Sequence, residues 1–121
     1  MTDATYTVPR FWRIFLWIAA LYNFAAGFAG MFAPGVGVDG MITSLLIACF
    51  GLVYALIASD PLRFAPILWA GVAGKLGVVL LLGPSNWGNG GDMAIGIVVA
   101  GDLLFALGFI AFLLTVGRKP Y

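Results

Sequence analysis

Two ionisable side chains stand deep inside apolar stretches of this chain. Lys75 lies in Ala73-Gly74-Lys75-Leu76-Gly77 and Asp102 in Ala100-Gly101-Asp102-Leu103-Leu104. An ionised group near the centre of a bilayer costs roughly 3 kcal/mol on insertion scales, so it turns away from lipid and takes a partner. Opposite charges in two such stretches suit two kinds of chemistry. One is an ion pair that sets which helices are neighbours and in what register. The other is an ion or proton site whose charges trade partners with a substrate. Tyr22, Asn23 and Tyr54 are further polar groups within apolar sequence. Together they suit a polar pocket around the head of a quinone or a lipid.

Other chemistries are poorly provided for. With no His and a single Cys, a His-ligated haem, a Cys/His zinc site and a Cys-x-x-Cys redox pair are excluded within one chain. Cys49, inside an apolar run, reads as a small packing residue. No nucleophile–base arrangement or metal-ligand cluster is visible, so no catalytic residues are assigned and enzyme activity by the chain alone is not expected. The loop Gly88-Asn89-Gly90-Gly91-Asp92 resembles a phosphate loop only in its glycines, for it lacks the strand, the Lys and the hydroxyl residue that such a loop needs.

The elements that must position these groups follow from composition. Only 9% of the 121 residues are charged and 63% are hydrophobic, whereas a soluble domain carries roughly 25% charged residues to meet water. Lipid is therefore the expected solvent. A net charge of +1 without any charge run argues against a nucleic-acid partner. Four apolar segments, at about 11–32, 41–58, 64–82 and 93–116, are each long enough to cross a hydrocarbon core of about 30 Å. Pro/Gly stretches separate them. Asp39 is placed to cap the second, Asp60 and Pro61 to cap and open the third, and 83–92 reads as a polar, mobile loop. The fold class expected is all-α: a polytopic four-transmembrane-helix bundle forming one domain, 1–121.

Loop charges set the expected orientation. Arg10, Arg13, Arg63, Arg118 and Lys119 flank alternate membrane ends, while the other two loops carry Asp39 and Asp92 and no cation. By the positive-inside rule both termini face the cytoplasm. Lys75 is then about ten residues from the inner end of the third helix, and Asp102 about nine from the outer end of the fourth, roughly 15 Å from opposite faces. The two charges meet at one level if these consecutive helices pack as antiparallel neighbours. Asn23 belongs to the same layer, on a face of Ala19, Ala20, Ala26, Gly27 and Gly30 that lets another backbone come close. Gly71, Gly74 and Gly77 form a second small-residue stripe, which reads as helix packing.

The elements Phe50-Gly51-Leu52-Val53-Tyr54, Asp60-Pro61-Leu62-Arg63, Gly74-Lys75-Leu76 and Gly101-Asp102-Leu103-Leu104-Phe105 give the chain a resemblance to small, functionally unassigned four-helix membrane proteins of bacteria. In size and layout it is also similar to the DoxX-like group. That resemblance implies a bacterial inner-membrane, multi-pass protein, at times the subunit or helper of a redox system.

Three functions stay open at this point. The first is a non-enzymatic subunit or accessory protein, with other membrane subunits or copies of itself as partners beside membrane lipid. The second is a small ion- or proton-coupled channel or carrier built on Lys75 and Asp102. The third is a quinone- or lipid-binding redox helper. No other cofactor is expected.

Overall fold

A computed structural model describes residues 6–120 and shows an all-helical chain, without strands among the described residues. The elements are α1 (Arg10–Met31), α2 (Val38–Ser59), the single turn α3 (Pro61–Phe64), a 3-10 turn (Ala65–Ile67), α4 (Leu68–Trp87), α5 (Met93–Leu114) and a closing 3-10 turn (Val116–Arg118). Four helical stretches are long and apolar enough to cross a membrane: Arg10–Met31, Val38–Ser59, Pro61–Trp87 and Met93–Leu114. Tyr121, the last residue of the basic C-terminal run, lies outside the described residues. The chain divides into two compact units. One runs to Phe64 and takes in Pro120; the other is Ala65–Lys119.

In the first unit, α1 and α2 form an antiparallel pair joined by a short loop in which Gly35 takes a φ of 73°. Only glycine adopts that backbone without strain. The helices touch almost backbone to backbone at Gly27. A Cβ there would stand 2.7 Å from the Ala48 nitrogen and 2.8 Å from the Ser44 oxygen. One turn on, a Cβ at Gly30 would run into the Ser44 hydroxyl, and on the other side a Cβ at Gly51 would press on the Phe24 ring and the Ala20 carbonyl. Small residues at these positions are what let two apolar helices associate where lipid supplies no hydrophobic drive. The expected cap at Asp39 is not formed. Gly37 is the N-cap, with no side-chain bond, and Asp39 falls inside the first turn. The Met41 amide donates to the Gly37 carbonyl at 3.0 Å, which starts the helix before Asp39 can cap it. Asp39 there still meets the positive end of the helix dipole favourably. Cys49 is exposed rather than packed.

In the second unit, α4 and α5 form another antiparallel pair. The sequence places the end of the third helix at 82, before Gly83-Pro84. The helix instead continues through Pro84 to Trp87. Proline removes one backbone donor, and neighbouring side chains hold the last turn around it. Asn86 Nδ2 donates to the Leu82 carbonyl at 2.9 Å, and Trp87 Nε1 donates across to the Gly96 carbonyl of α5 at 2.9 Å. The connection is correspondingly short, 88–92, with Gly90 at φ 83°. It is also tied: the Asp92 amide donates to Asn86 Oδ1, and Asp92 Oδ1 caps α5 by accepting from the Ala94 and Ile95 amides at 2.9 and 3.2 Å. The polar segment expected to be a mobile loop is thus half helix and half hydrogen-bonded turn.

The Gly71, Gly74, Gly77 stripe does not form one packed seam within the α4–α5 pair. Gly71 is buried, Gly74 is exposed and Gly77 half-buried, and a Cβ at Gly74 or Gly77 would meet nothing within 4 Å. A three-residue spacing falls about 60° short of a full turn at each step, so such a stripe drifts off any one face.

The contrast between the two kinds of glycine is testable. Gly27→Val should lower the unfolding free energy in detergent by about 1–3 kcal/mol, the range for overpacking a close contact. Gly74→Ala should leave it unchanged or raise it by up to about 1 kcal/mol, because alanine favours the helix and meets open space. Thermal or denaturant unfolding followed by circular dichroism reads both.

Candidate functional site

The α4–α5 pair carries Lys75 and Asp102 on facing helix surfaces. Lys75 stands seven residues beyond Leu68, and Asp102 nine beyond Met93, so antiparallel packing brings both to the middle of their helices. Lys75 Nζ donates to Asp102 Oδ1 at 2.7 Å, a short charge-assisted hydrogen bond. The lysine side chain is 6% exposed and the aspartate 14%. Water therefore screens little of the attraction, and the pairing offsets the cost of removing two charges from solvent. The ammonium also lies 5.4 Å from the centroid of the Phe105 ring, within reach of the negative face of an aromatic. Phe105 is one helical turn from Asp102, so α5 offers the lysine a carboxylate and a ring from adjacent positions on one face. Phe109 extends the aromatic surface, its centroid 6.3 Å from that of Phe105.

Phe105 has no assigned role on sequence alone, where it is one aromatic among many. The signal available is its three-residue spacing from Asp102, which becomes meaningful only once Lys75 is known to face α5. Similarly, Ser44, Ala48 and Gly51 give the α2 side of the α1–α2 contact. Their four- and three-residue spacing is the pattern that could have revealed it.

The three residues expected to form a polar pocket, Tyr22, Asn23 and Tyr54, lie on α1 and α2. Asn23 is buried, and its Nδ2 donates to the Ile47 carbonyl of α2 at 3.0 Å. That bond joins α1 to α2 through a carbonyl that already serves the helix ladder. Tyr54 is 1% exposed, its ring 6.1 Å from that of Phe50. Tyr22 is half-buried. Among the described residues, no group of three His, Cys, Asp or Glu side chains could hold a metal ion.

The remaining charges are at the surface. In the first unit Arg10, Arg13 and Arg63 are exposed at the end opposite the α1–α2 turn, where Asp39 lies; in the second, Arg118 and Lys119 are exposed at the end opposite the turn that holds Asp92. In chemical terms, the centre of the α4–α5 pair can do two things. It locks the register of two helices, and it holds a pair of opposite charges away from water.

No protein-family model, curated protein or solved structure matches this chain.

Removing one partner should expose the value of the pair. Lys75→Met leaves a half-buried carboxylate unpaired and should cost about 3–5 kcal/mol of unfolding free energy. The double change Lys75→Met with Asp102→Leu should recover most of that loss, since apolar side chains can replace a buried ion pair at little cost. A double-mutant cycle in detergent measures the coupling.

Proposed function

We propose that this chain is a small integral membrane protein that serves as a non-enzymatic subunit or accessory protein, assembling with other membrane helices or with copies of itself. The observation that carries this reading is the exterior of the helices. Within the most apolar window of each candidate span only 28–33% of residues are buried. Phe11, Leu21, Leu46, Leu80, Leu81 and Leu104 are among the large apolar side chains left exposed. So many exposed large apolar side chains mark a membrane or protein partner rather than water. The central charges fit a scaffold. Lys75 is satisfied by Asp102 and Phe105, so the α4–α5 pair keeps one register while its outer faces remain available to partners.

The same reading has the chain in the inner membrane of a bacterium, multi-pass, with both termini in the cytoplasm. Its supports are the exposed cations, all at the ends opposite the turns that hold Asp39 and Asp92, and the resemblance to small bacterial four-helix proteins, the DoxX-like group included. In a Cys49→Ser background, a cysteine at Asn89 should react with a membrane-impermeant maleimide in intact cells, and one at Lys119 only after permeabilisation. The reverse pattern would overturn the orientation. Assembly is tested by excising the protein with its native lipid in nanodiscs and weighing the particles. Particles holding more than one polypeptide are expected; a lone chain would overturn the subunit reading.

One observation favours a second reading, an ion- or proton-coupled channel or carrier. Asp102 has one oxygen engaged by Lys75 and yet keeps 14% exposure, so the carboxylate is within reach of another donor. The exchanged pair Lys75→Asp with Asp102→Lys separates the two. A scaffold retains its unfolding midpoint and its assembly, whereas a carrier loses flux. Proton and alkali-cation flux in proteoliposomes, wild type against the exchanged pair, decides between them. Wild-type flux at the level of empty vesicles eliminates the carrier.

A further inference from the structure

The α4–α5 turn bears an open groove of about 420 Å³ that the central ion pair does not use. Its walls are Asn86 and Trp87 from α4 and Met93, Gly96, Ile97 and Ala100 from α5. The four α5 positions follow the spacing of a single helix face. They make an apolar trough about 10 Å long at 1.5 Å per residue. Gly96 is its floor, and a Cβ there would stand 2.9 Å from the Asn86 carbonyl oxygen and 3.2 Å from Trp87 Cδ1. At the other end the mouth is polar, made by Asn86 and the glycine backbone of the turn. The walls are held in place by the Trp87–Gly96 and Asn86–Asp92 hydrogen bonds. A groove apolar along its length and polar at its mouth fits an amphiphile.

Charge selects the kind of amphiphile. Asp92 lies between the groove residues Gly91 and Met93 and is exposed. No Lys or Arg occurs from residue 76 to residue 117, so the turn and the helix segments that form the groove offer an anionic headgroup no cation. The N-terminus of α5 would ordinarily attract anions. Here, however, Asp92 Oδ1 accepts from the Ala94 and Ile95 amides, and the Gly96 amide donates to the Asp92 carbonyl at 2.9 Å. A helix end carries roughly half a positive charge, against one full negative charge on the carboxylate. The mouth therefore stays negative.

We infer that this groove holds one phospholipid with a primary ammonium headgroup, an acyl chain along Met93, Ile97 and Ala100 and the ammonium at Asp92. The inference rests on the membrane reading above, in which the turn lies at the level of the headgroups. Trp87, a residue type favoured at that level, forms one wall.

Nanodiscs with equal parts of phosphatidylethanolamine, phosphatidylcholine and phosphatidylglycerol, followed by native mass spectrometry of the released protein, test it. Ethanolamine lipid should be retained over the glycerol lipid by roughly five-fold, the scale of one charge near a membrane surface. It should also exceed the choline lipid, which has no N–H to donate. Asp92→Asn should abolish the excess while α5 keeps its cap, because Asn caps as well as Asp. Ile97→Trp should fill the trough and remove the bound lipid of every class. Equal retention of the three lipids, or an excess that survives Asp92→Asn, overturns the inference. Flotation of the protein with vesicles is read in parallel. A protein that floats without selectivity defeats the lipid site alone, whereas one that does not float defeats the membrane reading itself.

Discussion

A charge in the middle of an apolar helix is the constraint on which the α4–α5 pair depends. Lys75 has apolar sequence on both sides along α4, and nothing within its own helix can neutralise it. The partner must come from another element at the same height. Asp102 provides it at 2.7 Å, and Phe105 adds the face of a ring one turn away. Sliding either helix by a turn would separate the charges by about 5 Å and leave both desolvated. The pair therefore dictates register more than it adds net stability, since its Coulomb gain is largely spent on desolvation. Such a contact specifies a structure by making the alternatives costly.

The α1–α2 pair solves its association problem without charge. Its helices approach until Gly27 of one lies against the backbone of Ser44 and Ala48 of the other. The gain is dispersion between closely packed atoms, together with the hydrogen bond from Asn23 to the Ile47 carbonyl. A cross-helix bond of that kind contributes about 1 kcal/mol in an apolar setting. The two units thus use different devices, close backbone approach in one and a central ion pair in the other, and both leave their outer faces apolar.

The turn between α4 and α5 adds a third device. Polar side chains that looked like a loop are instead fasteners: Asn86 closes the end of α4, Asp92 opens α5, and Trp87 bridges the two. Gly83 and Gly96 make room for the indole, since a Cβ at either would collide with it or with the chain beside it. This order in a glycine-rich segment gives the surface groove fixed walls.

Much of the architecture was legible in the amino acids alone. The four apolar stretches are helices to within a few residues at most ends, because length and hydropathy are local properties that a chain must satisfy wherever it folds. The pairing of Lys75 with Asp102 could be reasoned to for a similar cause: two isolated opposite charges on consecutive antiparallel helices have few other places to go. The exact seams were not legible. Gly27 and Gly74 look alike in sequence, yet one is pressed against a backbone and the other faces open space, because helix rotation is decided by the neighbouring surface. Gly83-Pro84 signals a helix end, and the helix passes through it because Asn86 and Trp87 find partners that only the folded turn presents. Local chemistry therefore determined which segments are helical and which charges needed company. The packed structure alone decided which faces meet, for that depends on atoms far apart in the chain.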